Sequence, residues 1–355
     1  MGSESASLAR LGLKTLYELV SIPSPSGSEG RAVKYLLEVA DRLGLDAWVD
    51  RVGSFYAAPR KSPQPVLVLA SHVDTVRDWY PARVEGDTVY GRGAVDAKGP
   101  LVSMLMALAL IAGEDPAAPV MVAGLVGEEA DSPGAKYFLQ TAPRSIRHVV
   151  IGEPTGATRV AIGYRGSARI RVVCRARGGH SASPEPGSSA LELAAELVMA
   201  LRTRGRRVSE TSYTPVLLVA GDGSNVVPTR AELVLDTRIP PGKSLVDALR
   251  ELENVLPEGC VAEQIGEYVE PVRVSLNEPA PRALIRAILE AGEKPRPVIK
   301  AGTSDMNYLV RLTRSIAAYG PGDPSLAHTR EEKLSLRELE LAIRVYSAAS
   351  RRLAG

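Results

Sequence analysis

Leu8, Leu11, Leu16, Leu19 and Val20 recur at helical spacing, which predicts an amphipathic helix over residues 7–20. A loop rich in proline and serine follows at 22–27. Ser28 then stands as the N-cap of a second helix carrying Val33, Leu36, Leu37, Ala40 and Leu43, closed by Gly44. Residues 66–70 and 120–126 are continuous apolar runs, the pattern of central strands covered on both faces. Residues 101–112 between them read as a buried helix, and 148–151 as another central strand. Strand and helix alternate, so this part of the chain is expected to form α/β layers around a buried sheet.

The pattern changes near Gly163. Residues 168–176 alternate like a half-exposed strand. Residues 188–204 read as a helix, 216–220 and 231–239 as strands, 244–256 as a helix and 261–269 as a last strand. This strand–helix–strand–strand–helix–strand order is ferredoxin-like. After Pro271 the earlier pattern returns, with a helix at 283–291, a strand at 315–319 and a helix from Ser335. The simplest arrangement is a small α+β domain, 163–271, inserted into an α/β domain made of 1–162 and 272–355.

Composition narrows the classes. A chain of 355 residues suits one large domain or two ordinary ones. With 45% hydrophobic and 24% charged residues it has the make-up of a globular enzyme. A formal net charge of +2 gives no reason to expect nucleic-acid binding, and no apolar run is long enough to span a bilayer. Residues 1–10 lack the basic stretch and apolar core of a secretion signal, so a cytoplasmic location is expected. Arginine outnumbers lysine, and Asn and Gln are scarce. Few amides is a thermophile trend, and a GC-rich genome would explain the arginine equally well. Cys174 and Cys260 have no metal-ligand spacing and are expected to be two free, buried thiols, although a thermophile origin would allow a disulfide.

Candidate chemistry gathers at the predicted strand ends. Ser71-His72-Val73-Asp74-Thr75 follows the run at 66–70. Alternation puts His72 and Asp74 on one side of the extended chain, so Asp74 can orient the ring of a metal-bound His72 from behind. By itself, H-x-D is an unremarkable strand ending. Gly91-Arg92-Gly93-Ala94-Val95-Asp96-Ala97-Lys98-Gly99 is dense in glycine but fits neither phosphate-loop spacing. Its Asp96 either caps the following helix or is a carboxylate held rigidly enough to bridge two metals. Gly127-Glu128-Glu129 ends the run at 120–126. Adjacent carboxylates there repel each other unless a cation is present. Alone they would be a solvated loop pair; beside a cation, one ligates and the other moves protons. Gly152-Glu153-Pro154 and Ala327-His328-Thr329 also follow strands, whereas His148 fits no motif and reads as a strand-end histidine. Together His72, Asp96, Glu129, Glu153 and His328 place imidazoles and carboxylates where α/β sheets gather their sites. Mixed nitrogen and oxygen ligation suits zinc, and manganese or cobalt less specifically. Two metals about 3.5–4 Å apart are a standard hydrolytic device.

The ordered set HVDTV, GRGAVDAKG, GEE, GEP and a late histidine resembles the dinuclear zinc amidohydrolase and peptidase family over essentially the whole chain. The resemblance implies a zinc-peptidase-like three-layer catalytic domain with an inserted ferredoxin-like lid and dimerisation domain. It implies two Zn2+ per subunit, for which Co2+ or Mn2+ can substitute. His72, Asp96 and Glu153 would hold one metal and Asp96, Glu129 and His328 the other, with Asp96 bridging, Glu128 as general base and Asp74 behind His72. Arg177-Gly178-Gly179-His180-Ser181-Ala182 matches the family stretch whose histidine, here His180, reaches the partner subunit's active site and steadies the oxyanion. A homodimer is therefore implied. Asn225-Val226-Val227-Pro228 and Asp236-Thr237-Arg238 match substrate-binding pieces, with Arg238 gripping a substrate carboxylate.

Lys300-Ala301-Gly302-Thr303-Ser304-Asp305-Met306-Asn307 and Tyr319-Gly320-Pro321-Gly322-Asp323 look most like one branch of that family. That branch releases lysine or ornithine from an amino-group carrier protein, a small acidic protein whose C-terminal glutamate side chain is amide-linked to the product. Lys300, Gly302, Thr303 and Ser304 would then face substrate. Alternatives are acetylornithine deacetylase, another small N-acyl-amino-acid deacylase, or a relative that has lost catalysis, although none of the seven expected positions is missing. An acidic carrier needs a basic landing surface. Arg202, Arg204, Arg206 and Arg207 offer one at the end of the predicted helix, where cations also simply favour a helix C-terminus.

Overall fold

The computed structural model describes residues 2–183, 185, 189–205 and 207–355. Ser188 and Arg206, expected at a helix start and in the arginine run, lie outside them. The chain packs as two units. One comprises Met1–Ile162, Val274–Val298 and Ser304–Gly355; the other comprises Gly163–Arg273 with Ile299–Thr303.

The first unit opens with α1 (Gly2–Val20), α2 (Gly30–Arg42), β1 (Leu45–Val49), β2 (Phe55–Pro59) and β3 (Leu67–His72). A hairpin, β4 (Arg83–Glu85) and β5 (Thr88–Tyr90), precedes α3 (Lys98–Glu114), β6 (Val120–Leu125), α4 (Pro133–Thr141), β7 (His148–Gly152) and β8 (Arg159–Tyr164). The second unit contributes β9 (Gly166–Arg175), β10 (Gly179–His180), α5 (Ala190–Leu201), β11 (Ser212–Ala220), β12 (Val226–Val227), β13 (Arg230–Ile239), α6 (Leu245–Glu253), β14 (Cys260–Val269) and β15 (Val272–Arg273). The chain returns through α7 (Pro279–Glu290), β16 (Arg296–Lys300), α8 (Met306–Leu309), β17 (Ile316–Tyr319), β18 (Lys333–Ser335) and α9 (Leu336–Ala354).

The main sheet of the first unit follows the order β1-β2-β6-β3-β7-β17-β8. Strands β6, β3, β7 and β17 are parallel neighbours, while β2 and β8 flank them antiparallel. Every residue of β3 and β6 is buried, which is why neither run shows a polar alternation. Helix α3 packs on β2, β3, β6 and β7 and beneath α1 and α9, so it is apolar all round rather than striped. Because the central strands are parallel, their carboxyl ends share one edge, and the loops leaving that edge carry the candidate residues.

Serine caps account for three helix starts, with Ser189 Oγ accepting the Glu192 N–H at α5. Ser335 and Glu338 form a capping box at α9, and Ser244 and Asp247 form one at α6. Ser28 is not the N-cap of α2. Its backbone N–H is used in a turn to the Pro25 carbonyl (2.8 Å), and Glu29 takes the N-cap position without a side-chain cap. Helix α4 and strand β8 had no counterpart in the periodicity.

In the second unit the sheet order is β11-β13-β9-β14, with all neighbours antiparallel. Helix α5 packs on β9, β11 and β13, and α6 on β14. Ile170, Val172, Leu197, Leu233 and Leu235 form the centre of this core. Cys174 and Cys260, expected as free thiols, instead form a disulfide. They sit directly opposite each other on β9 and β14, with Cα atoms 4.0 Å apart. The sheet register creates this contact across 86 residues of sequence, so spacing alone could not reveal it.

Candidate metal centre

Strand β3 ends on His72, and the buried segment after it carries Asp74. The Nδ1 atom of His72 lies 2.9 Å from the main-chain oxygen of Asp74, with the Asp74 carboxylate at 3.5 Å. The backbone of Asp74 thus holds the ring more closely than its side chain does. Its carboxylate has other partners. Oδ1 accepts the N–H of Glu128, and Oδ2 accepts the N–H of Glu129, each at 3.0 Å. Ser26 Oγ donates to Oδ2 at 2.7 Å. Burial works against ionisation of Asp74, but His72, Ser26 and the Glu129 N–H outweigh it and hold its carboxyl below the usual range.

The Glu128–Glu129 pair follows β6 through Gly127, whose φ is +74°. A Cβ there would stand 2.6 Å from Pro133 Cδ, so only glycine fits the turn. Asp96 lies just before α3, and its peptide to Ala97 is cis. Its two oxygens face different imidazoles. Oδ1 is 3.1 Å from His72 Nε2, and Oδ2 is 3.4 Å from His328 Nε2. His328 Nε2 is in turn 2.8 Å from Glu129 Oε1. Ligand atoms of His72, Asp96 and Glu129 all lie within 4.8 Å of one another. Glu153, at the end of β7, is buried, and its N–H donates to the Tyr319 carbonyl at 3.3 Å.

Charge accumulates here. Burial pushes the Glu128 carboxyl well up, and Glu153, Asp305 and Glu129 add to the shift against the pull of His72. Burial disfavours protonated His72, but Asp74, Asp96 and Glu128 overcome it and raise its pKa well above the usual value. Asp96 and Glu129 lift His328 to about 10. Asp96 itself is held well below the usual range, because His328 and His72 outweigh its burial. Carboxylates exceed imidazoles in this cluster, an excess of negative charge that a bound cation would offset. Nitrogen and oxygen donors converging under that excess fit a divalent cation.

One carboxylate of this cluster escaped the sequence reading. Asp305 is buried, Oδ1 has no hydrogen-bond partner among the described residues, and burial raises its carboxyl to about 7. It hydrogen-bonds Ser132, whose N–H closes on the Gly127 carbonyl (2.8 Å), so it steadies the loop bearing Glu128 and Glu129. The sequence carried it only within the Lys300–Asn307 stretch, where nothing singled it out from its neighbours. Ser304, expected to face substrate, accepts the Met306 N–H through Oγ at 3.2 Å and donates its own N–H to Asn307 Oδ1.

The remaining candidates belong to the second unit. His180 is exposed on β10, paired with Val226, and its Nδ1 accepts the Ala182 N–H. The Asn225 carbonyl accepts the Ser181 N–H. Arg238 makes a two-pronged pair with Asp236 at 2.8 and 3.2 Å. The Lys300 carbonyl accepts the Arg165 N–H, and Gly302 is exposed and Thr303 half-buried nearby in sequence.

A parallel-centred α/β sheet whose strand ends gather imidazoles and carboxylates fits a metal-dependent hydrolase. Residues 68–352 match peptidase family M20/M25/M40, and the chain belongs to that family. A relative from Pyrobaculum aerophilum is 40% identical over 94% of this chain and 95% of its own length. One from Saccharolobus solfataricus, described as a LysW-lysine/LysW-ornithine hydrolase, is 35% identical over 94% of this chain and 93% of its own. The fold is similar to that of the aminopeptidase PepT from Bacillus cereus, with a TM-score of 0.81 at 19% identity, covering 98% of this chain and 99% of that one.

Proposed function

We propose that this hydrolase uses two metal ions to cleave an amide bond, releasing lysine or ornithine from the C-terminal glutamate side chain of an acidic amino-group carrier protein in lysine and arginine biosynthesis. The observation that carries the two-metal reading is Asp96, whose two oxygens face the separate imidazoles of His72 and His328. That is how a bridging carboxylate is placed. The description of the Saccharolobus relative supports the substrate.

In this reading His72, Asp96 and Glu153 would hold one ion, and Asp96, Glu129 and His328 the other, with zinc the first choice and cobalt or manganese able to replace it. When bound, the cations polarise the scissile carbonyl and lower the pKa of the attacking water. Glu128, beside the ligand Glu129, takes a proton from that water and passes it to the leaving amine. Asp74 keeps the Glu128–Glu129 backbone in place through its two accepted N–H groups.

The second unit acts as lid and dimerisation domain of a cytoplasmic homodimer. Supporting the dimer, β11 is an edge strand whose Val216, Leu217, Leu218 and Val219 are 40–56% exposed, an apolar row with no neighbouring strand beyond it among the described residues. His180 reaches the partner subunit's site and steadies the oxyanion. Arg238 exchanges Asp236 for a substrate carboxylate, and Asn225, Lys300, Gly302, Thr303 and Ser304 line the substrate's path.

The test is a side-by-side assay on lysine or ornithine linked to the carrier and on free N-acetylornithine and other N-acyl amino acids. Faster turnover of the carrier-linked amide upholds the proposal. A preference for free substrates makes the chain a small-molecule deacylase, and inactivity on all of them with metal bound makes it a non-catalytic relative.

A further inference from the structure

Glu332 follows His328 by four residues, belongs to none of the strand-end motifs and is fully buried. Its carboxylate gathers the glycine-rich loop. Oε2 accepts the N–H groups of Gly93 (2.9 Å), Val95 (3.1 Å) and Asp96 (3.3 Å), while Oε1 pairs with Arg92. Its main-chain oxygen accepts the Gly91 N–H at 3.1 Å. Arg92 is 1% exposed. Its Nε donates to the Asp78 carbonyl at 2.9 Å, and Nη2 donates to the His328 carbonyl at 3.3 Å. One buried ion pair therefore grips the backbone of Asp96 from one side and the backbone of His328 from the other.

Stability is a weak reason for such a pair. Two charges lose their hydration, and an apolar pair of similar volume often stabilises a protein equally well. Directional bonding is what an apolar pair cannot supply. The carboxylate and the guanidinium are rigid planes which, beyond the pair itself, direct most of their acceptors and donors to loop backbone. The two residues so gripped carry side chains only 3.4 Å apart, although 232 residues separate them in sequence. Sites of this kind lose function when supporting groups leave them about 1 Å too loose.

We propose that Glu332, acting with Arg92, is a positioning residue that sets the spacing of Asp96 and His328 and so shapes the site of the second cation. This rests on the two-metal reading above. Neither side chain ligates; each acts through the backbone of a ligand.

The experiment is Co2+ titration of metal-stripped protein, followed by visible absorption and by competition with a chelator. Wild type takes up two ions. Glu332→Gln keeps the shape but places an amide where a carboxylate oxygen stood, and one of the two ions should then bind about 10–100-fold more weakly, the usual scale for groups that orient ligands. Arg92→Lys keeps the charge but loses the fork that reaches the His328 carbonyl, and it decides the question if Glu332→Gln does not fold. Leu36→Ala, in the core of α2 and far from both loops in sequence, is the control for general destabilisation and should keep both ions. Two ions bound with wild-type affinity by a folded Glu332→Gln or Arg92→Lys protein would overturn the proposal, as would an equal loss in Leu36→Ala. Uptake of fewer than two ions by wild type would instead overturn the two-metal reading, and this inference with it.

Discussion

The carboxylate of Asp74 accepts the backbone N–H of Glu128 at 3.0 Å across 54 residues of sequence. With the second bond to Glu129, it makes Asp74 a brace for the glutamate loop, while its main-chain oxygen serves His72. Asp74→Asn keeps that main-chain oxygen but leaves one loop N–H without its acceptor, and a buried donor without a partner costs about 1–3 kcal/mol. We expect metal content near wild type and kcat lower by about 10–100-fold. Lost metal with unchanged turnover per bound ion would contradict the brace.

Glu128 and Glu129 should separate on substitution. Glu128→Gln is expected to keep both ions and lose about 10²–10⁴-fold in kcat, the range for a removed general base. Glu129→Gln should lower metal affinity as well, and added metal should restore part of its activity. Turnover of Glu128→Gln within a few-fold of wild type would remove its role.

The Cys174–Cys260 bridge closes a loop with a sequence separation of 86 inside the second unit. Loops of that size lower the entropy of the unfolded chain, and such a crosslink typically contributes about 2–4 kcal/mol. Cys174→Ala with Cys260→Ala, or simple reduction, should lower the melting temperature while leaving metal stoichiometry intact. An unchanged melting temperature after verified reduction would show that the sheet register alone holds β9 against β14.

If His180 serves the partner subunit's site, two inactive chains can complement each other. Mixing His180→Ala with Glu128→Gln should recover part of the wild-type activity, because some heterodimers contain one intact site. Charge on the exposed edge of β11, as in Val216→Lys with Leu218→Lys, should shift sedimentation towards monomer and abolish the recovery. Demonstrated subunit exchange without any recovery would argue for a role within one chain.

What the sequence revealed and what it hid follow from range. His72, Glu128, Glu129 and Glu153 stood out as candidates because each lies at or just beyond the end of an apolar strand, so a local pattern marks them. The βαββαβ order was legible because each element of the second unit carries its own periodicity. The disulfide, the Asp305 contact with Ser132 and the Glu332 hub all join residues remote in sequence, and nothing local distinguishes those side chains from solvated ones. Ser28 misled because serine suits a tight turn as readily as a helix cap.

The last prediction concerns the carrier. Helix α5 ends at Leu201, and Arg202, Arg204 and Arg207 are exposed beyond it. Favourable interaction with the helix terminus accounts for Arg202, whose N–H still closes on the Val198 carbonyl, but falls off within the last turn. It does not account for Arg207, six residues past the helix end, whose backbone N–H donates to Glu210 Oε2 at 3.3 Å. Like charges kept together outside a helix end repel each other, and an acidic partner relieves that repulsion. Exposed charges are screened within about 10 Å at 0.1 M salt. Efficiency on a carrier-linked substrate should therefore fall as salt rises, while efficiency on a free acyl-lysine stays nearly constant. Arg204→Glu with Arg207→Glu should raise KM for the carrier-linked substrate several-fold, leave kcat intact and leave the small substrate untouched. Equal salt sensitivity on the two substrates would mean that these arginines dock nothing, and that the hydrolase recognises its substrate only at the bond it cleaves.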